Sequence, residues 1–299
     1  MNHRGRILID VCVLLTLAAS ACGGVSGDRG RIAHPTGPED LLLRVEHGGI
    51  GSLSWSLRGL PSFSLYGDGR IIAPVPRDEA SPGSLVQGLT VRHVSDEGVR
   101  AILRAARQAG LHGPDRWFVL DGVDDAGAIT FTAVTDAPHV TVAFALGEEE
   151  PEYVPAGDRL ARRILREFAS ILSRLEEWLP AGSIGEEEPL PPDRLRIFTN
   201  PYGNFLHRDF LPSPNGEDSE SVAPPPASLP EIEWPLDESI RGFGEPTEGP
   251  IRCGSVEGSE LDVFLAAAEG ASEFTPWVSD GRRYALVVRP LLPDDPDCP

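Results

Sequence analysis

The sequence predicts an α+β fold in two lobes, each an antiparallel sheet with helices packed on one face. Three observations carry that expectation. Short β-prone runs recur between Gly, Asp and Pro turn residues. Gly67-Asp68-Gly69 and Ser279-Asp280-Gly281-Arg282 each separate two such runs, which is a hairpin signal. Strands, helix, strands and helix then follow one another, an order that suits helices covering one side of an antiparallel sheet.

Element by element, Leu41 to Val45 reads as a strand, and Leu60 to Val75 as the first hairpin, with Phe63, Leu65 and Ile71 alternating with polar neighbours. Leu89 to Val94 is a further strand. Ser95 caps a helix whose first turn holds Asp96 and Glu97, where carboxylates suit the helix dipole. Val99, Ile102, Leu103 and Ala106 make its apolar stripe, and Gly110 ends it. Trp117 to Leu120, Ile129 to Val134 and His139 to Leu146 read as three more strands. One long helix is expected over 157–179, with Leu160, Ile164, Phe168, Ile171, Leu172, Leu175 and Leu179 on its apolar face. Arg159, Arg162, Arg163, Arg166 and Arg174 lie mostly opposite. In the second half, Leu195 to Thr199, Ile232 to Leu236, Glu260 to Ala268 and the Phe274 to Arg289 hairpin read as strand, short apolar piece, helix and strand pair.

The expected organisation is a leader over 1–21, a lipidated cysteine and flexible tether over 22–38, and a first domain over 39–180. An acidic, Pro-rich linker covers 181–193, and a second lobe spans 194–299 with a long mobile loop at 204–230. Arg4 and Arg6 precede an apolar run, Ile7 to Leu17, that is too short for a membrane span and contains Asp10. Ala19-Ser20-Ala21-Cys22 resembles the lipobox of bacterial lipoprotein precursors, which implies acylation of Cys22, although Leu is usual where Ala19 stands. The same three small residues also satisfy the A-x-A rule of ordinary secretion. Cys12 falls in the leader. With Cys22 acylated, Cys253 and Cys298 remain as a pair for an oxidising compartment, 45 positions apart.

Composition narrows the function classes. The net charge of −20 leaves no basic stripe for nucleic acid, so no nucleic-acid partner is expected. It also argues against electrostatic docking on anionic lipid, so contact with a membrane would come from the anchor. All 26 basic residues other than histidine are arginine. A lysine-free chain lacks a Walker A loop, the S-x-x-K motif and Schiff-base chemistry.

LPSFSLYGDGRII, SDEGVRAILRAARQAGL, RCGSVEG and WVSDGRRYALVVRPLLPD together resemble a group of uncharacterised secreted lipoproteins of GC-rich bacteria such as actinobacteria. The resemblance implies secretion and acylation at Cys22, and it brings no known activity or catalytic residue.

Candidate chemistry is sparse. His47, His93 and His139 would form a three-His site only if their strands adjoin. Asp121, Asp124 and Asp125 are weak candidates for Ca²⁺, since they miss the EF-hand spacing and read better as a solvated acidic turn. Gly254-Ser255-Val256-Glu257-Gly258 has the wrong register for a nucleophile elbow, and Gly49-Ile50-Gly51 lacks the third glycine of a dinucleotide loop. Trp55, Trp117, Trp178, Trp234 and Trp277 could stack on sugars or pack in cores. No cofactor is expected. The expectation is a non-catalytic binding or structural lipoprotein on the extracytoplasmic face of the cell membrane, facing an envelope protein or glycan. The alternative is an envelope glycan hydrolase using a carboxylate pair.

Overall fold

The computed structural model describes residues 32–48, 53–76, 83–120, 127–146, 153–202, 230–247 and 249–298. Side chains of 53–55 lie outside that set. The described residues are built mostly from strands, arranged in two mixed sheets with a few helices.

The first half contains β1 (Leu41–Gly48), α1 (Leu53–Arg58), β2 (Phe63–Tyr66), β3 (Arg70–Pro74), β4 (Leu89–His93), α2 (Asp96–Gln108), β5 (Arg116–Phe118), β6 (Ala128–Val134) and β7 (Pro138–Phe144). Then come α3 (Ala156–Leu172), α4 (Leu175–Trp178) and β8 (Glu188–Leu190). Its strands form one sheet in the order β5-β7-β6-β1-β2-β3-β4-β8. All its pairs are antiparallel except β5 with β7. A three-residue strand carries too little pattern for its direction to be read from sequence. β8 lies inside the stretch expected as a linker, and its register on β4 (Val91 opposite Glu188) adds it to the sheet edge.

The β2–β3 hairpin turns at Gly69, whose φ of +85° is open to glycine, and a Cβ there would meet the Val94 carbonyl at 2.3 Å. Ser95 caps α2 by accepting a hydrogen bond from the Gly98 amide, and Val99, Ile102, Leu103 and Ala106 are buried. Val45 and Phe131 face the same side of the sheet, and the Phe131 ring lies 6.1 Å from Phe168 of α3.

Two expectations about the long helix need correction. It is two helices, broken at Ser173 and Arg174, where Arg174 leaves the helical region. The Ile171 carbonyl is diverted to the Arg174 amide and the Trp178 indole N–H, at 3.1 and 2.8 Å. The buried stripe is also rotated. Arg162, expected opposite the apolar face, is 1% exposed beside Leu165, Phe168 and Leu172, whereas Leu160 is 49% exposed.

The second half contains β9 (Arg194–Pro201), β10 (Ile232–Glu233), β11 (Glu245–Pro246), β12 (Arg252–Glu257), α5 (Gly258–Ala267), β13 (Trp277–Ser279) and β14 (Arg282–Pro290). They form a sheet in the order β10-β13-β14-β9-β12-β11, antiparallel except for β10 with β13. Leu195, Ile197, Val256, Leu286 and Val288 face one side and meet Leu261 and Phe264 of α5 in a core with Trp234, Phe243 and Trp277. Phe198, Cys253 and Val287 face the other side and meet Leu57 of α1 and Cys298. Asp280 and Gly281 both adopt positive φ, as a two-residue hairpin turn requires.

Residues 34–299 cluster as one compact unit. Leu85, from the β3–β4 connection, sits in the second sheet's core, and Leu292, after β14, sits in a first-sheet core with Tyr66, Ile72, Leu89 and Val91. Arg58 of α1 pairs with Glu273 across the same seam. Among the described residues no helix is long and apolar enough to cross a membrane.

Candidate functional site

The first sheet has one closed face and one more open face. Strand alternation puts Val45, Phe131, Thr141 and Ala143 on the closed face, all buried. Thr130, Thr132, Val140, Val142 and Phe144 point the other way and are half-buried. Trp117 lies opposite Val142 on the edge strand β5, so its indole continues that open row. It is 60% exposed, and Val119 beyond it is 62% exposed. Toward β2, β3 and β4 the same face is covered by Leu292 and its neighbours, so the open part is confined to the β5–β7–β6 end. Such a row of threonine and apolar side chains, ending in an exposed indole, offers a platform suited to stacking or to a partner surface. Arg162 donates to the Phe118 carbonyl at 3.2 Å, at the end of the edge strand.

The other tryptophans are occupied elsewhere. Trp234 and Trp277 are core residues, and Trp178 is half-buried with its indole N–H on the Ile171 carbonyl. The side chain of Trp55 lies outside the described residues.

The structure keeps the three candidate histidines apart. His47 on β1 aligns with Ile129, and His139 on β7 with Ala133, so they are four positions apart along β6. At about 3.3 Å per residue that is roughly 13 Å. His93 is on β4, three strands beyond β1. Among the described residues no group of three or more His, Cys, Asp or Glu is arranged to hold a metal. Cys22, Asp121, Asp124 and Asp125 lie outside the described residues, as does most of the 204–230 loop. Ser255 is mid-strand opposite Arg196, not on a strand-to-helix turn.

His139 has a different neighbour. His112, after α2, is pushed below its ordinary value of 6.5 by burial and by the nearby charges of Arg107 and His139. Its Nε2 is buried and has no hydrogen-bond partner among the described residues. Because its folded pKa is depressed, the unfolded chain takes up the proton first. The stability that neutral His112 allows is therefore complete above pH 6.5 and falls as pH drops from there toward the lower folded value. Thermal midpoints measured from pH 7.5 to 5 are expected to decline less steeply for His112→Gln than for the native chain.

Cys253 and Cys298 form a disulfide with 5.8 Å between their Cα atoms. It ends a polar network that sequence reading did not single out. The Asp294 carboxylate accepts from Arg44 at 2.6 Å and from the Tyr66 hydroxyl at 2.7 Å. Asp295 accepts from Arg289 at 2.9 Å and from the Leu292 amide at 3.1 Å. Burial raises the Tyr66 phenol pKa, and the bond to Asp294 raises it further. Burial opposes the charge on Arg44, but Asp294, Tyr66 and Asp295 outweigh it and hold its pKa above the ordinary value. Asp294 and Asp295 are adjacent carboxylates, yet both are committed to ion pairs that tie the two sheets together. The acidic run after Pro290 is visible in the sequence; its arginine partners are not, because Arg44 and Asp294 are 250 positions apart.

No known protein family, curated protein or solved structure matches this chain.

Proposed function

We propose that this chain is a non-catalytic binding or structural module of a bacterial cell envelope, held on the extracytoplasmic face of the membrane by lipid on Cys22. The two sheets, each dominated by antiparallel pairs, act as its two lobes. The exposed indole of Trp117, at the end of the half-buried row of threonine and apolar side chains on β6 and β7, is the observation that carries the binding role. An envelope protein or glycan with an apolar or sugar-ring face suits that platform. The envelope location is supported by the Arg4–Cys22 leader pattern, by the resemblance to secreted lipoproteins of GC-rich bacteria and by the Cys253–Cys298 disulfide. Two or more acyl chains on one cysteine would hold it stably, where one chain alone binds marginally.

One cell-fractionation experiment tests both parts. The full chain, expressed in a GC-rich bacterial host, is expected in the membrane fraction, and Cys22→Ser is expected to shift it to the soluble extracytoplasmic fraction. Retention of Cys22→Ser in the membrane would remove the anchor. Trp117→Ala should stay membrane-bound and fold normally, while the purified variant sediments with isolated cell-wall material at least several-fold less than the native chain. Equal sedimentation would remove the platform.

A further inference from the structure

Arg196 on β9 and Arg289 on β14 are direct cross-strand neighbours on the same face of the second sheet. Like charges so placed repel and destabilise a sheet pair. Arg194 lies on the same face of β9, one residue pair away, and Arg44 reaches in from the first sheet. Burial and the charges of Arg289 and Arg194 lower the Arg196 pKa, against the pull of Asp295 and Asp297.

What occupies this four-arginine bed is the chain's own segment 294–297. Asp294 takes Arg44, Asp295 takes Arg289 and Arg44, and Asp297 takes Arg194 at 2.9 Å. Arg196 donates to the Asp297 carbonyl at 2.6 Å and to the Pro296 carbonyl, and Arg194 donates to the Asp295 carbonyl at 3.3 Å. The segment is thus bound as a short acidic peptide would be. One residue beyond Asp297, Cys298 is bonded to Cys253 on β12.

We propose that this bed is a latent site for a multivalent anion, occupied by residues 294–297 as an intramolecular ligand and locked by the Cys253–Cys298 disulfide. While the disulfide stands, the segment is fixed at both ends and a competing anion cannot displace it. A dithiol that reduces the bond takes up its sulfur–sulfur linkage, becoming a disulfide itself and leaving Cys253 and Cys298 as thiols. The segment is then no longer tied to β12, and an anion carrying several charges competes with it for the arginines. Phosphate-rich and carboxylate-rich polymers share that chemistry.

Hydrogen–deuterium exchange on the full chain tests this, with sodium tripolyphosphate as the probe and sodium chloride of equal ionic strength as the control. The reporters are the Leu291 amide, bonded to the Arg194 carbonyl at 3.0 Å, and the Asp295 amide, bonded to the Leu292 carbonyl at 3.0 Å. In the chain reduced with dithiothreitol, tripolyphosphate is expected to speed their exchange by about tenfold or more, while the β9 and β14 amides stay protected. The oxidised chain is expected to show no such change. Arg196→Gln in the reduced chain should weaken the effect of tripolyphosphate. Equal exchange in oxidised and reduced chains, an equal effect of sodium chloride, or loss of sheet protection together with the segment would each overturn the proposal.

Discussion

Trp277→Ala is expected to lower the unfolding free energy by about 3–5 kcal/mol, the usual cost of deleting a large buried aromatic. Trp277 is 0% exposed and stacks on Phe264 with ring centroids 5.5 Å apart. Trp234 meets both edge-on, at 6.2 Å from Trp277 and 5.9 Å from Phe264, and also packs on Phe243 at 5.2 Å. Removing this ring leaves a cavity bordered by Phe264 and Trp234, and close-packed surroundings collapse only partly. Among the described residues the Trp277 indole N–H has no hydrogen-bond partner, so packing is what this side chain contributes there. Trp277→Phe, which keeps most of the apolar volume, should therefore cost much less, on the order of 1–2 kcal/mol. Urea unfolding monitored by circular dichroism, with the slope compared between variants, gives both values. Similar losses for Ala and Phe would show that something other than volume matters at this position.

Arg162→Leu is expected to cost about 3–6 kcal/mol, although it places an apolar side chain on a buried helix face. Arg162 donates to the carbonyls of Phe118, Phe144 and Ala145 at 3.2, 2.9 and 3.3 Å. Those oxygens end β5 and β7 where neither strand continues, and Ala145 itself adopts a positive φ of 49°. Leaving buried acceptors unpaired costs about 1–3 kcal/mol each. Lys at this position brings one compact ammonium in place of a planar fork, so Arg162→Lys should recover only part of the loss. Guanidinium unfolding of the two variants measures this. A Leu variant as stable as the native chain would mean that water takes over the three carbonyls.

Legibility from sequence followed the range of the interaction. Ser95, the Gly67-Asp68-Gly69 turn and the Asp280-Gly281 turn act within a few residues, and each appears where its chemistry puts it. β12 escaped notice, since Arg252, Gly254 and Ser255 interrupt its apolar pattern. In the fold Gly254 is required because the Phe243 ring sits where a Cβ would go, 2.5 Å away. In the sequence Arg162 reads as solvent-facing because charge ordinarily faces water; only the convergence of two strand ends on one side chain reverses that preference. The open row was similarly hidden: Trp117 and Val142 look like any other strand residues until pairing puts them side by side.

By itself, the sequence determined the α2 and α5 helices, the two hairpins and the cysteine pair that closes the disulfide, all features set by local backbone preference or by residue count. Only the tertiary structure decided which face of the first sheet stays open and that the acidic C-terminal run belongs to an arginine bed. It also decided that β3–β4 and post-β14 segments exchange apolar residues between the two sheets. Those outcomes depend on contacts between residues far apart in the chain. The burial and Coulomb energies that select them arise only when the strands have paired.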